Sequence, residues 1–307
     1  MRKKLMLSLV PVLAALACWT SLAVAAPAAT DGKLQVAVGV APVEYFAKKI
    51  GGEFIQTMVL VPAGADAHTY EPKPSQMRAL SGAVLYLSVG LEFEQAWEPR
   101  LKGANKKLAF VHLEQGLALL PMPEGHEDHH RGKLEPKGKH EHHDEADPHL
   151  WVSPAQVRQM ALRIAEALTR VDPAHAKVFV ANLAAFQKEI DALDAELRAV
   201  FVAVPADRRS FLVFHPAWGY LARDYGLTQT AIEFEGKEPS PRRLAAIVAQ
   251  AKARGTRVIF VQPQMSRRTA ESIAQALGAR VVVADPLAAD WAVNLRSVAA
   301  GFRDALR

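Results

Sequence analysis

The chain has 307 residues, half of them hydrophobic, and carries a formal net charge of +5. This length is long for one domain and comfortable for two domains of ordinary size. Three basic residues, Arg2, Lys3 and Lys4, lie in a leader-like segment, so the basic excess of the remaining chain is small and we expect no nucleic-acid partner. The one cysteine, Cys18, lies in the same segment, so a metal site elsewhere must use His nitrogen and Asp or Glu oxygen.

The first 25 residues have the pattern of a secretory signal peptide. A basic start is followed by an apolar run, residues 5–17, that is too short for a comfortable membrane span. The motif A-V-A ends at Ala25, and we expect cleavage after this residue. A lipoprotein attached through Cys18 is the weaker alternative, because Ala15 matches a lipobox poorly.

Strands and helices alternate in the first half of the chain, which indicates a parallel sheet with crossover helices. The predicted strands cover residues 34–40, 54–61, 83–89 and 107–113, and the predicted helices cover residues 43–50, a segment from 74, and 92–101. Ser153-Pro154 combines a capping residue with proline at the first helical position, so it predicts a helix that runs to about Arg170. Residues 173–204 then keep helical spacing of apolar side chains over about 45 Å, which is typical of a strut between two domains.

The same alternation resumes after this long helix. Strands are predicted at residues 210–214, 227–234, 257–261 and 280–284, and helices at 218–225, from 240, at 266–277 and at 291–306. The sequence therefore predicts an α/β fold of two lobes with parallel-type sheets and flanking helices, joined by one long backbone helix. The expected boundaries are 26–171 for the N-terminal lobe, 172–205 for the linking helix and 206–307 for the C-terminal lobe.

Seven of the eleven histidines lie between Gly125 and Trp151. Six of them stand in a charged loop, 125–146, without apolar periodicity, so this loop cannot fold around a core of its own. These six are His126, His129, His130, His140, His142 and His143. The seventh, His149, stands where apolar residues resume. A His-rich tract that leads into one ordered histidine indicates metal handling.

Further candidate ligands follow predicted strands, where ligands of open α/β sheets bind. His68 follows the second strand, His215 directly follows residues 210–214, and Asp285 directly follows residues 280–284. With His149, two candidates come from each lobe, so a cleft between the lobes can bring all four together. Three imidazoles and one carboxylate suit Zn²⁺ and fill a tetrahedral site. We therefore expect no enzyme, because no position is left for an activated water.

Other interpretations remain open at this point. A lone histidine beside a strand is more often a satisfied polar residue than a ligand, and Asp-Pro after a strand is usually a turn. A zinc metalloenzyme, such as a hydrolase with Glu71 or Glu238 as general base, is one alternative. A sugar- or amino-acid-binding protein with incidental histidines is another.

Four motifs in order make the interpretation more specific. They are G-A-D-A-H-T-Y-E-P at 64–72, D-P-H-L-W-V-S-P at 147–154, F-H-P-A-W-G-Y at 214–220 and D-P-L at 285–287. These motifs resemble the four ligand loops of the cluster A-I substrate-binding proteins of zinc and manganese ABC transporters, and E-G-K-E-P-S at 235–240 also resembles a segment of that family. The resemblance covers essentially the whole chain after the leader.

The resemblance implies a monomeric periplasmic protein that captures a metal ion between two lobes and delivers it to an ABC transporter permease. His68, His149, His215 and Asp285 are the ligands that it implies. Manganese members tend to have Glu where His215 stands, so imidazole here favours Zn²⁺, with Mn²⁺ as the alternative. Ala67 replaces the Pro or acidic residue of many relatives, which removes one possible extra carboxylate.

The His-rich loop is a feature of the zinc-type members of this family. It is open to three interpretations: a low-affinity antenna that raises the local zinc concentration, a sensor of zinc load, or a solvated insertion without a metal role. We expect its six histidines to be accessory to the primary site.

Overall fold

Two four-stranded parallel sheets organise the part of the chain that the computed structural model describes, residues 32–122, 146–233, 239–263 and 267–305. The first sheet contains β1 (Leu34–Val38), β2 (Ile55–Val59), β3 (Leu85–Ser88) and β4 (Ala109–His112), in the spatial order β2-β1-β3-β4. The second contains β5 (Ser210–Val213), β6 (Thr228–Ala231), β7 (Val258–Val261) and β8 (Arg280–Val283), in the order β6-β5-β7-β8. All neighbouring strands are parallel, so the predicted two-lobe α/β fold is confirmed.

Six helices connect parallel strands within one sheet as crossovers: α1 (Ala41–Gly51), α2 (Pro74–Leu80), α3 (Glu92–Ala104), α6 (Gly219–Tyr225), α7 (Pro241–Ala253) and α8 (Arg267–Leu277). Helices α4 (Pro154–Val171) and α5 (Ala176–Val202) lie between the two sheets in the chain, and α9 (Trp291–Ala305) follows β8. The predicted cap of α4 is confirmed, because the Ser153 hydroxyl accepts the backbone N–H of Gln156 at 3.1 Å. None of the described helices is long and apolar enough to span a membrane.

The long helix α5 has 27 residues, or about 40 Å. It begins slightly later than the sequence predicts, because Pro173–His175 forms a 3-10 turn ahead of it. One stripe of its surface is buried at spacings of three and four residues, consisting of Phe179, Leu183, Phe186, Ile190, Leu193, Leu197 and Phe201. This stripe packs on α1, α4 and α9 within one continuous core, so the helix is held by elements from both halves of the chain.

Glu94 organises the turn between β3 and α3. Its Oε2 atom accepts the backbone N–H groups of Val89, Gly90 and Leu91 at 2.9, 3.0 and 3.1 Å, and the Ser88 hydroxyl at 2.8 Å. Burial raises the pKa of Glu94 to about 7, although these donors favour the ionised form. The turn held in this way is followed at once by Glu92, which belongs to the site described below.

The free energy of unfolding should therefore fall as the pH rises through about 7, because the folded protein favours protonated Glu94. This contribution is fully present below the ordinary glutamate pKa of 4.5 and amounts to on the order of 3 kcal/mol. The variant Glu94→Gln stays neutral at every pH and keeps an acceptor oxygen. Its free energy of unfolding should therefore not show this fall with pH. Urea unfolding of both proteins without metal, from about pH 5 to about pH 8, measures the difference. An identical pH dependence in the two proteins would contradict the role of Glu94.

Candidate metal centre

Three imidazole rings meet with their Nε2 atoms together. The His68 and His215 Nε2 atoms lie 2.9 Å apart, and the His215 and His149 Nε2 atoms lie 3.2 Å apart. The ligand atoms of all three lie within 4.8 Å of one another, and they form the one such group found among the described residues. Tetrahedral nitrogen ligands of Zn²⁺, at about 2.0–2.1 Å from the ion, are separated by about 3.3 Å. The spacing of the rings therefore fits a zinc ion bound by three histidines.

The loop of His68 is shaped by Asp66. One carboxylate oxygen of Asp66 accepts the backbone N–H of His68 at 2.9 Å, and the other accepts the Thr69 hydroxyl at 2.7 Å. Burial acts to raise the pKa of Asp66, but these two hydrogen bonds favour the carboxylate and outweigh burial, so the pKa of Asp66 is lowered. An aspartate that bonds its own backbone two residues on is a turn former, so the local sequence sets the direction of the His68 side chain.

His149 is held by a similar short-range turn. Asp147 accepts the backbone N–H of His149 at 2.9 Å and contacts its Nδ1 atom at 2.7 Å through the same oxygen. Both side chains are buried. His149 directly precedes the 3-10 turn Leu150–Val152, which leads into α4. His215 stands two residues after β5, at the carboxyl edge of the second sheet.

Each of the three rings has a carboxylate on its second nitrogen. The Nδ1 atom of His68 lies 2.9 and 3.1 Å from the two oxygens of Glu92, and that of His215 lies 2.6 Å from Glu233. Asp147 does the same for His149. An ionised carboxylate only accepts, so each Nδ1 carries a proton, and the Nε2 atom of the neutral ring presents its lone pair towards the other rings. This is the tautomer that a metal ion requires.

The surroundings shift two of the imidazoles in opposite directions. Burial disfavours the charged form of both rings. For His149 burial dominates over the charge of Asp147, and its pKa is lowered. For His68 the hydrogen bond and charge of Glu92 outweigh burial, and its pKa is raised, while the pKa of Glu92 is lowered by the same contact against the effect of burial. Of these two rings, His149 therefore stays neutral to the lower pH.

Asp285, the fourth ligand predicted from the sequence, is not part of this three-histidine group within the described residues. It lies two residues after β8, and its Oδ1 atom accepts the backbone N–H of Leu287 at 2.9 Å. Burial raises its pKa. Its role as a ligand stays a prediction.

Sequence reasoning missed Glu92 and Glu233 as partners of the His68 and His215 rings. Both obey the rule that found the histidines, since Glu92 follows β3 and Glu233 follows β6 at the carboxyl edges of the sheets. Asp147 belongs to the motif at 147–154, but its contact with the His149 ring was not predicted. Glu71, proposed as a possible general base, is exposed on the surface, and Glu238 lies outside the described residues.

The six accessory histidines, from His126 to His143, also lie outside the described residues, as do the leader and most of the 235–240 motif. The chain that flanks residues 123–145 is described. Pro121 and Ala146 form an antiparallel bridge, and Leu120 accepts the backbone N–H of Asp147 at 2.7 Å. The Tyr220 hydroxyl donates to the Asp147 carbonyl at 2.7 Å and accepts the Leu120 N–H at 3.0 Å. The two ends of the segment are therefore joined two residues before His149.

Comparisons with known proteins identify the family of the chain. Residues 36–301 match the family model of ZnuA, the periplasmic component A of the zinc-uptake complex. A putative metal-binding protein of Treponema pallidum is 32% identical over 81% of this chain and 78% of its own length. The zinc-binding protein AdcA of Streptococcus pyogenes is 30% identical over 94% of this chain, which spans 56% of the length of AdcA.

Solved structures show the same fold. A crystal structure of ZnuA has 40% sequence identity and a TM-score of 0.79, over 90% of this chain and all of that one. A zinc-bound ZnuA from which residues 138–173 of its own sequence are deleted has 40% identity and a TM-score of 0.78, over 89% of this chain and 98% of that one. With the family model covering most of its length, this chain belongs to the ZnuA family of zinc-binding, zinc-type cluster A-I substrate-binding proteins.

Proposed function

We propose that this protein captures Zn²⁺ at His68, His149 and His215 and delivers the ion to an ABC transporter permease for import. The observation that carries the proposal is the convergence of three Nε2 lone pairs within 4.8 Å, each ring being held by a carboxylate on its other nitrogen. Asp285 is the proposed fourth ligand, since it is half-buried at the end of β8 and supplies a carboxylate. A set of four protein ligands favours binding over catalysis, because it leaves no position for an activated water.

The location of the family agrees with a role in metal capture outside the cytoplasm. The family is periplasmic or anchored as a lipoprotein, and the leader pattern favours a periplasmic chain cleaved after Ala25. We further propose that it is a monomer, with lobes 26–171 and 206–307 joined by the helix within 172–205. N-terminal sequencing of the exported protein tests the cleavage position, and sedimentation tests the monomer.

The zinc site is tested by titration of the metal-free protein in competition with a chelating dye. The wild-type protein should bind one Zn²⁺ much more tightly than micromolar, and the double variant His68→Ala, His215→Ala should lose this site, because one imidazole and one carboxylate are left. A tight site that survives the double substitution would refute the assignment. His175→Ala is the matched control, since His175 bonds Asp172 and stacks on Phe54 outside the site.

The choice of metal is tested by competition between Zn²⁺ and Mn²⁺. Three imidazoles favour the borderline-soft Zn²⁺, whereas Mn²⁺ prefers oxygen ligands. Zinc should therefore displace manganese at equal concentrations. Equal or tighter binding of Mn²⁺ would make manganese the transported ion.

The carboxylate behind His215 should contribute to affinity without touching the ion. Glu233→Ala removes the group that orients the ring and fixes its tautomer, so zinc affinity should fall by about 10- to 100-fold. Glu233→Gln keeps an acceptor oxygen at the same position and should lose less. The same dye competition measures both variants, and an equal loss in the two would point to charge rather than orientation as the contribution of Glu233.

Replacement of residues 123–145 by a short Gly-Ser linker should leave the primary site intact. The flanking chain is joined by the bridge between Pro121 and Ala146 and by Tyr220, so the segment can be shortened without moving His149. Elemental analysis should find one tightly held zinc in both proteins and additional, weaker zinc only in the full-length one. A loss of the tight zinc on replacement would show that the accessory histidines belong to the primary site.

A further inference from the structure

Two tryptophans form a reciprocal connection between the loop of His149 and the loop of Asp285. The Nε1–H of Trp151, two residues after His149, donates to the Pro286 carbonyl at 2.7 Å. The Nε1–H of Trp291 donates to the Trp151 carbonyl at 2.6 Å. Both side chains are buried, so these bonds are shielded from competing water.

The first turn of α9 completes the connection. Asn294, one turn after Trp291, donates through Nδ2 to the backbone carbonyl of Asp285 at 2.7 Å. The same helix end therefore bonds the His149 loop through Trp291 and the Asp285 loop through Asn294, while Trp151 bonds one loop directly to the other. Three short hydrogen bonds, donated by Trp151, Trp291 and Asn294, therefore connect the two loops and α9 in a closed circuit.

The Trp291 ring packs against aromatic rings of the main core. It packs edge-on against Phe46 of α1, with ring centroids 5.2 Å apart, and against Phe186 of α5, at 6.3 Å. Trp291 thus has a ring anchored in the main core and an N–H directed at the site loops. This separation allows one substitution to remove the hydrogen bond while the ring packing is largely kept.

We propose, on the basis of the proposed function, that Trp151 and Trp291 are positioning residues of the zinc site, which fix the His149 loop and the Asp285 loop at a constant separation. Neither side chain is a proposed ligand. Their effect on zinc passes through the distance between His149 and Asp285, so the His149 ring and the Asp285 carboxylate approach the ion as one preformed pair. The contribution of Trp291 to affinity should accordingly depend on the presence of Asp285.

A double-mutant cycle tests this dependence. Zinc affinity is measured by dye competition for the wild type, Trp291→Phe, Asp285→Ala and the double variant. Trp291→Phe should weaken binding by about tenfold in the wild-type background and have little effect once Asp285 is absent. The same loss in both backgrounds would overturn the proposal, because Trp291 would then act through the fold or through His149 alone.

Two further variants control for misfolding of Trp291→Phe and for a general effect of replacing Trp by Phe. Asn294→Ala removes the third bond of the circuit from a partly exposed position and should reproduce the dependence on Asp285, including in the event that Trp291→Phe does not fold. Trp97→Phe is the control, because Trp97 lies on α3, has the Arg100 guanidinium 4.9 Å from its ring centroid, and is not one of the residues that form the circuit. It should bind zinc like the wild type.

The visible spectrum of the Co²⁺-substituted proteins gives a second readout of the ligand set. Trp291→Phe should weaken the intense tetrahedral bands in the same direction as Asp285→Ala, and Trp97→Phe should not. A wild-type protein whose zinc binding is independent of His68 and His215 would refute the proposed function together with this inference. Tight wild-type binding with Trp291→Phe and Asn294→Ala both equal to Trp97→Phe would refute the inference alone.

Discussion

The site depends on three carboxylates that hold three imidazole rings by their outer nitrogens. Nε2 atoms 2.9 and 3.2 Å apart would repel one another if the rings were all protonated, and neutral rings without partners would be free to turn away. Glu92, Asp147 and Glu233 prevent the rings from turning away, because each accepts a hydrogen bond from Nδ1 and keeps the Nε2 atom on the inner side. They also surround the rings with negative charge, which favours a dication at this position.

The parallel sheets bring each ring and its carboxylate together. β5 and β6 are neighbours in the second sheet, so the residues that follow them, His215 and Glu233, emerge side by side although 18 positions separate them in the sequence. In the first sheet, β2 and β3 lie on either side of β1, and His68 and Glu92 follow them. His149 differs because its carboxylate, Asp147, comes from the same turn. Two of the three histidine–carboxylate contacts therefore depend on the tertiary fold, whereas the contact of His149 with Asp147 is local in sequence.

This difference explains how much of the site could be predicted from the sequence. Apolar periodicity and capping residues predict the strands, α4 and α5 closely, and the position of His215 and Asp285 directly after strands indicates a site at the sheet edges. The pairing of His215 with Glu233 requires the strand order, which periodicity does not contain. The sequence also treats Asp285 as equal to the histidines, whereas the structure groups three rings and holds Asp285 through its own turn and α9. That distinction arises from side-chain hydrogen bonds, which leave no pattern in the sequence.

The buried hydrogen bonds of Trp151 and Trp291 limit how far the two lobes can separate. Helix α5 buries one continuous stripe in a core shared with α1, α4 and α9, and the segment around Trp151 is bonded to the Pro286 carbonyl and to Trp291. Wide separation of the lobes along this edge would leave buried indole donors without acceptors, at a cost of about 1–3 kcal/mol each. Local rearrangement of ligand loops avoids that cost. Under the proposed function, release of the ion is therefore expected to require a small movement near the rings, while the packing of α5 and the two indole hydrogen bonds persist.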